Sequence, residues 1–325
     1  MSEAPHRRSV RIASRALVAS VGATAVMYFV LLSEPLEDGE SAAVFYSIAL
    51  LSGLVLAALY ESAVLVTTSA LSRIFGRAPV LVPSFVRRSA LTVKYASLVL
   101  VAYFGGMMLA FFVAAFAISL PTAGVENAGE FDVLQHTWIF PLGMIVGAAT
   151  AWWVFMRRAT RRDLVALRHW MRRPALRVMV LSAIGGLAVA ILALTVTPTV
   201  IPVAEDFQPG VLAQMGSSQG WPRFFFSVMA VAIAPPVEEL LFRGIFLEGL
   251  LRSSNTFVAV TTVTLAFALM HAPDMWGHWP GVLTILGGAY GLAVLRIRTG
   301  SLVPPIVGHA AYNGSLVFIG LFFAA

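Results

Sequence analysis

The 325-residue chain contains no cysteine and little charge. Without thiols it can form neither disulfides nor thiolate metal sites, and it cannot use a cysteine nucleophile. Charged residues make up only 12% of the sequence, whereas hydrophobic residues make up 59%. A soluble domain carries roughly 25% charged residues, so a soluble fold of this size could not cover its surface. The composition therefore indicates an integral membrane protein.

Hydrophobic segments recur along the whole chain, most of them long enough for the roughly 20 residues that cross a bilayer. They are approximately Ala16–Leu32, Ala42–Leu71, Tyr95–Leu120, Trp138–Met156, Val178–Thr197, Phe224–Leu251, Thr256–His271, Gly281–Leu295 and Leu302–Ala325. We predict an all-α fold, a polytopic membrane helical bundle with eight to nine transmembrane segments. It divides into a basic tail (1–15), N-terminal transmembrane segments (16–220) and a core (221–320) within the same membrane domain.

Basic residues fall on alternate connections between these segments. The N-terminus and the connections after segments two, four, six and eight hold 20 of the 22 Lys and Arg residues; the other two are Arg223, near an outer edge, and Arg243, in the middle of segment six. Lys and Arg are retained on the cytoplasmic side, so the N-terminus is predicted to be cytoplasmic. Because the charge follows topology, no nucleic-acid partner is expected. Arginine and alanine are abundant and lysine is nearly absent, which indicates the cytoplasmic membrane of a bacterium with a G+C-rich genome.

One basic connection, residues 157–177, differs from the others. Leu164, Leu167, Trp170 and Met171 recur there at helical spacing among many arginines. Helices that lie on anionic membrane surfaces have this pattern, which makes anionic lipid a predicted partner at the loop. The simpler interpretation is a loop that only sets the topology.

Charged residues interrupt the sixth segment, in the stretch APPVEELLFRG. Each charge inside hydrocarbon costs about 2.5–3.5 kcal/mol on insertion scales, so such residues are usually functional. Glu239 and Arg243 are four residues apart and share a helix face, so they can pair. Glu238 points elsewhere and has no partner from its own helix. Pro235 and Pro236 precede it, where proline is compatible with the start of a helical turn.

Two histidines and an asparagine lie in the segments that follow. His271 shares a helix face with Phe267 in FALMH, and His309 shares one with Asn313 in HAAYN. A lone histidine in an apolar segment is usually a hydrogen-bonded structural residue. Two of them, together with an unpaired glutamate, can satisfy one another if the helices converge.

The segment boundaries disagree with such a convergence. They place His309 near the inner third of the membrane and His271 near the outer edge. We therefore expect either a deeper start for segment seven or broken, displaced helices in the proline-containing segments six and nine. Glu248 and Arg252, four residues apart near the inner edge, are predicted to form an ordinary surface pair.

This residue set can hydrolyse a peptide bond at membrane depth in two ways. A carboxylate beside imidazoles in a partly dry pocket can activate water as a general base, while N–H groups stabilise the oxyanion. Alternatively Glu238, His271 and His309 could bind a divalent metal such as Zn²⁺ and leave one position open for water. No serine has an obvious histidine–carboxylate arrangement, which disfavours an acyl-enzyme. The residues themselves fit both schemes.

The three stretches EELLFR, FALMH and HAAYN follow, in order, the pattern E-E-x-x-x-R, F-x-x-x-H, H-x-x-x-N/D. This pattern resembles the CAAX-protease and bacteriocin-processing (CPBP/Abi) intramembrane protease family, which includes the type II CAAX prenyl endopeptidases. The resemblance covers roughly Trp221 to Gly320, about a third of the chain. It implies a metalloprotease-like endopeptidase, for which a metal-free glutamate mechanism is also considered.

The resemblance assigns a role to each motif residue. It implies that Glu238 activates the water with help from His271, and that Glu239 and Arg243 form a supporting pair.

It also implies that His309 and Asn313 hold the oxyanion, or that His309 joins a metal site. The expected substrate is a membrane-associated peptide or protein. Two alternatives stay open: a secondary transporter or proton relay, and a non-catalytic membrane adaptor that retains the pocket. Transporters usually contain matched halves, and the Glu–Glu–Arg segment has no second copy here.

Overall fold

The computed structural model describes residues 90–119, 136–195, 197–205, 207, 211–275 and 277–323. This part of the chain is helical and contains no strand. Its helices are α1 (Val93–Ser119), α2 (Ile139–Arg158), α3 (Arg161–Trp170), α4 (Leu176–Thr195), α5 (Thr197–Val200), α6 (Val211–Ser217), α7 (Trp221–Leu251), α8 (Thr256–Met275), α9 (Trp279–Thr299) and α10 (Val303–Phe323).

Five of these helices, α1, α2, α4, α7 and α9, are long and apolar enough to cross a membrane. Helices α8 and α10, of 20 and 21 residues, match the predicted segments seven and nine. The all-α polytopic bundle is thus confirmed, and segments three to nine are helices close to their predicted positions. The first two segments, Ala16–Leu32 and Ala42–Leu71, lie outside the described residues.

The long helices pack in pairs, α1 along α2, α4 along α10 and α8 along α9. Glycines allow two of these pairs to approach closely. A Cβ on Gly147 of α2 would lie 2.7 Å from the carbonyl oxygen of Tyr103 in α1, and a Cβ on Gly186 of α4 would collide with the backbone of Gly308 in α10. Small residues serve this purpose in membranes because close packing replaces the hydrophobic drive.

Helix α7 is irregular, as expected for a proline-containing segment six. Residues Met229–Ile233 and Glu239–Phe246 are π-helical, on either side of Pro235 and Pro236. In the first of these π-helical segments, the Ala234 N–H donates to Met229 O, five residues back. Proline lacks an N–H and breaks the regular ladder. Such π turns are rare and often occur at functional sites, and here they flank both glutamates.

The basic loop contains the helix that its sequence predicts, and part of the apolar side of this helix faces protein. Thr160 and Asp163 form a capping box at the start of α3. Trp170 is fully buried, and Leu167 packs against the main core. These two residues therefore pack against the bundle, whereas Met171, which follows the helix, is exposed, and the lipid contact of this loop stays a prediction.

Candidate active site

Glu239 and Arg243 form the predicted pair, and His309 joins it. Arg243 Nη1 lies 3.0 Å from Glu239 Oε1, and His309 Nδ1 lies 3.0 Å from the same oxygen. Because a carboxylate oxygen only accepts, both nitrogens act as donors. Both the Glu239 and Arg243 side chains have 0% exposure. One oxygen of this acid is therefore engaged twice, and the whole side chain is closed off from solvent.

Glu238 is placed differently, although it is the neighbouring residue. Its side chain is 9% exposed, and its Oε2 has no hydrogen-bond partner among the described residues. His309 Nε2 lies 3.8 Å from this oxygen, which is too long for a hydrogen bond. Buried polar atoms are rarely left unsatisfied, and the exceptions often mark reactive groups. Glu239 Oε2 also lacks a hydrogen-bond partner among the described residues, but the Glu239 side chain is fully buried, whereas that of Glu238 is partly exposed.

Phe267 connects His271 to this cluster. Its ring centroid lies 4.7 Å from that of His271 and 5.8 Å from that of His309. The Arg243 guanidinium sits 4.2 Å from the same centroid, as a cation–π contact. The His271 Nδ1 lies 2.9 Å from Phe267 O, so this nitrogen carries the proton and Nε2 carries the lone pair. Phe267, one turn before His271, therefore lies at the depth of His309.

Asn313 replaces a hydrogen bond that the prolines remove from α7. Its Nδ2 donates to Ala230 O at 2.7 Å. In an α-helix this oxygen would accept from the Ala234 N–H, but that group bonds to Met229 O instead. A continued π pattern would use residue 235, which is proline and has no N–H. Asn313 therefore supports the break in α7, and its second amide hydrogen remains for another acceptor.

Helices α7 and α9 hold one another through two arginines. Arg243 Nη2 donates to Ala289 O of α9 at 3.2 Å, and Arg296 Nε of α9 donates back to Arg243 O at 3.3 Å. In α7 the Leu247 N–H bonds to Phe242 O, five residues back, rather than to Arg243 O. Each arginine thus supports the π turn that carries the motif.

Glu248 corrects one prediction from the sequence. It is 1% exposed rather than on the surface, and its Oε2 lies 3.9 Å from Arg296 Nη2. The expected surface position is wrong, since Glu248 is buried and faces Arg296 of α9, while the charge of Arg252 also acts on it. Sequence reasoning missed Arg296 because an arginine in the last turn of a helix is usually a solvated, topology-setting charge.

The predicted metal ligands are not assembled in this geometry. Among the described residues, no three His, Asp or Glu side chains are grouped closely enough to hold a metal ion. Glu238 and His309 approach one another, but His271 does not complete the set. Since the donor positions do not fit, we derive no step through a metal.

Comparison with known proteins identifies the region that carries the site. Residues 220–315 match the family model for type II CAAX prenyl endopeptidase Rce1-like proteins. No curated protein and no solved structure matches the chain. The matched region is less than a third of the chain and includes both glutamates, both histidines and their partners. The match over residues 220–315 supports membership of the CAAX-protease family and indicates CAAX-type intramembrane protease activity in general.

Proposed function

We propose that this protein is an intramembrane endopeptidase in which Glu238 activates a water molecule. The observation that carries the proposal is the contrast between two adjacent buried acids. Glu239 Oε1 accepts from both Arg243 and His309, and the Glu239 side chain has 0% exposure, so its free Oε2 is sealed inside the bundle. Glu238 Oε2 accepts from nothing among the described residues, and the Glu238 side chain keeps 9% exposure. A general base needs a free acceptor that water can reach, which favours Glu238.

Charge balance assigns a function to His309. Glu238 and Glu239 carry two negative charges against one positive charge on Arg243, and a low-dielectric interior penalises an uncompensated charge. His309 Nε2, 3.8 Å from Glu238 Oε2, is positioned to supply the balancing positive charge without a direct hydrogen bond to Glu238. The His309 ring is fixed by its Nδ1 bond to Glu239, so Nε2 stays directed towards Glu238.

The reaction then follows from these positions. Glu238 takes a proton from water as the water oxygen attacks the peptide carbonyl carbon, which forms a tetrahedral oxyanion. Donors near the cluster, the Nε2–H of a protonated His309 and the second amide hydrogen of Asn313, stabilise that oxyanion. Collapse breaks the C–N bond, and the proton on Glu238 passes to the leaving amine. His271, through its Nε2 lone pair, assists the first proton transfer.

The substrate class comes from the family. The matched family is described as prenyl endopeptidases that act on CAAX sequences. We therefore propose a membrane-associated, prenylated peptide or protein as substrate, processed in a cell membrane. A hydrophobic anchor keeps the scissile bond close to the five apolar helices of the described bundle.

The test is cleavage by purified protein in liposomes. A peptide ending in a farnesylated CAAX sequence is incubated with the wild-type protein, and products are identified by mass spectrometry. The same peptide without the farnesyl group is the matched control. We expect internal cleavage of the farnesylated peptide and a much slower reaction of the control. Absence of cleavage of both peptides would contradict the proposed activity, and equal rates would contradict a prenylated substrate.

Removal of metal separates the two chemical schemes. Dialysis against a zinc chelator is expected to leave the cleavage rate unchanged, because the donor geometry does not assemble three ligands. The measurement is the initial rate before dialysis, after dialysis and after addition of Zn²⁺. Loss of activity on dialysis with recovery on Zn²⁺ would overturn the glutamate–water scheme in favour of a metal site.

A further inference from the structure

Helix α3 and the residues around it present a basic face at one end of the bundle. Eight arginines within residues 157–177 are exposed, among them Arg161, Arg162 and Arg168 on α3 itself. The single acid of this stretch, Asp163, is buried and accepts hydrogen bonds from the Ala90 and Thr160 backbone N–H groups. The exposed charge of this face is therefore entirely positive.

Aromatic and apolar residues place the same face at the level of lipid headgroups. Trp153, near the end of α2, is exposed, and the Arg157 guanidinium lies 4.3 Å from its ring centroid. Exposed tryptophans at helix ends are typical of the membrane–water interface. Val165 and Leu176 are also exposed among the arginines. Arginine side chains at this depth meet phosphate groups, with which guanidinium forms bidentate hydrogen bonds.

We propose that this basic face docks on the headgroups of anionic phospholipids and that the docking regulates the peptidase site. The regulatory part rests on the proposed function, whereas the docking itself does not. The charge of the face is complementary to an anionic leaflet, and Ala166 and Trp170 of α3 are already covered by protein. Lipid therefore meets α3 mainly through its arginines, with the exposed Val165 beside them.

The end of α3 is bonded to the start of α10. Trp170 O accepts from the Leu302 N–H at 2.7 Å and from the Ser301 hydroxyl at 3.1 Å. The same hydroxyl lies 2.7 Å from Arg172 O. These bonds fix the entry of α10, the helix that carries His309 two turns further along.

The Trp170 side chain contacts α7 as well. The Arg296 guanidinium carbon lies 5.6 Å from the Trp170 ring centroid, and Arg296 donates to Arg243 O. A Cβ on Gly244, the residue after Arg243, would be 3.4 Å from Trp170 Cε3. One residue of the surface helix thus contacts or bonds to both helices of the site. Anionic headgroups that fix the position of α3 therefore also fix, through these contacts, the position of the Glu239–Arg243–His309 cluster.

Hydrogen exchange in vesicles tests the docking without any substrate. Wild-type protein is reconstituted in phosphatidylcholine alone and in an equimolar mixture with phosphatidylglycerol, and exchange is followed by mass spectrometry in residues 161–170 and 301–308. Phosphatidylglycerol is expected to slow exchange in both segments. The variant Arg161→Gln/Arg162→Gln/Arg168→Gln should need about tenfold more phosphatidylglycerol for the same effect, since each basic residue adds to anionic-lipid attraction.

The charge-retaining variant Arg161→Lys/Arg162→Lys/Arg168→Lys is the matched control and should respond like wild type. No response of the wild type to phosphatidylglycerol, or an equal response of the Gln variant, would overturn the docking. Inorganic phosphate added to phosphatidylcholine vesicles is expected to have no effect. A full effect of phosphate would contradict a lipid surface as the partner.

A second variant tests the coupling. Ser301→Ala removes the hydroxyl that bonds to the end of α3 and leaves the basic face intact. Phosphatidylglycerol should still slow exchange in residues 161–170 of this variant, but it should slow exchange in residues 301–308 much less than in the wild type.

The cleavage rate is the second readout of the coupling. Phosphatidylglycerol should raise the cleavage rate of the wild type and leave that of Ser301→Ala unchanged. Equal responses of the two proteins would overturn the coupling. Absence of any cleavage would contradict the proposed function while the exchange data still decide the docking.

Discussion

At the scale of single residues, two adjacent acids are distinguished by their partners. Glu239 is held by Arg243 and His309, and Glu238 keeps one oxygen free of hydrogen bonds among the described residues. The i, i+4 pair Glu239–Arg243 follows from helical spacing and was predictable from the sequence. The third partner was not, because His309 lies 70 residues away and helical periodicity carries no information on distant contacts.

Arg296 provides a prediction at this scale, with a control on the same helix. It is fully buried beside Glu248, whereas Arg298, two residues further along, is exposed. Arg296→Met should lower the free energy of unfolding by about 3–5 kcal/mol, because it leaves a buried carboxylate without its counter-charge. Arg298→Met should change it by less than about 0.5 kcal/mol. Thermal unfolding in detergent measures both, and equal effects would contradict a buried Glu248–Arg296 pair.

At the scale of elements, the regular backbone hydrogen bonds of α7 are interrupted, and side chains from other helices donate to two of its carbonyl oxygens. Pro235 and Pro236 in the sequence predicted an irregular segment six. The sequence could not show which side chain would support the exposed carbonyl, since that depends on how α10 lies against α7. Asn313 of α10 donates a hydrogen bond to Ala230 O, and Arg296 of α9 donates one to Arg243 O.

A double-mutant cycle tests the support by Asn313. Asn313→Leu leaves Ala230 O without its donor and should lower the free energy of unfolding by about 1–3 kcal/mol. Pro235→Ala supplies an N–H at the position five residues after Ala230. The loss caused by Asn313→Leu should therefore be smaller in the Pro235→Ala background, with a coupling of about 0.5–3 kcal/mol.

The control for this cycle is Ser315→Ala, since the Ser315 hydroxyl bonds only within α10, to Ala311 O. It should leave stability nearly unchanged and add independently to Pro235→Ala. Strict additivity of Asn313→Leu and Pro235→Ala would show that the carboxamide does not replace the missing bond.

At the scale of the whole molecule, charge placement predicts the orientation and packing determines the site. Hydropathy located the described helices to within a few residues, because each must satisfy its backbone inside lipid. It did not show that α3 turns Leu167 and Trp170 towards the bundle, because amphipathic spacing is the same for lipid-facing and protein-facing helices. Likewise the sequence supplied the motif residues, and the contacts around Phe267 supplied their arrangement.

The absence of cysteine allows a direct test of the orientation. Arg168→Cys in the basic loop should react with a membrane-impermeant maleimide only when cells are opened. Glu130→Cys, in an acidic connection of the sequence, should react in intact cells. Labelling of Arg168→Cys from outside would reverse the predicted topology and would place the basic face on the opposite leaflet.

The central claim is that Glu238 performs chemistry and Glu239 performs a structural role. The direct measurement compares cleavage rate and unfolding temperature for Glu238→Gln and Glu239→Gln in the same liposomes. Glu238→Gln should keep the wild-type unfolding temperature and lose at least about a hundredfold in rate, the usual contribution of a general base. Glu239→Gln should unfold at a clearly lower temperature, since it weakens the partner of a buried arginine. Wild-type cleavage by Glu238→Gln would contradict the account.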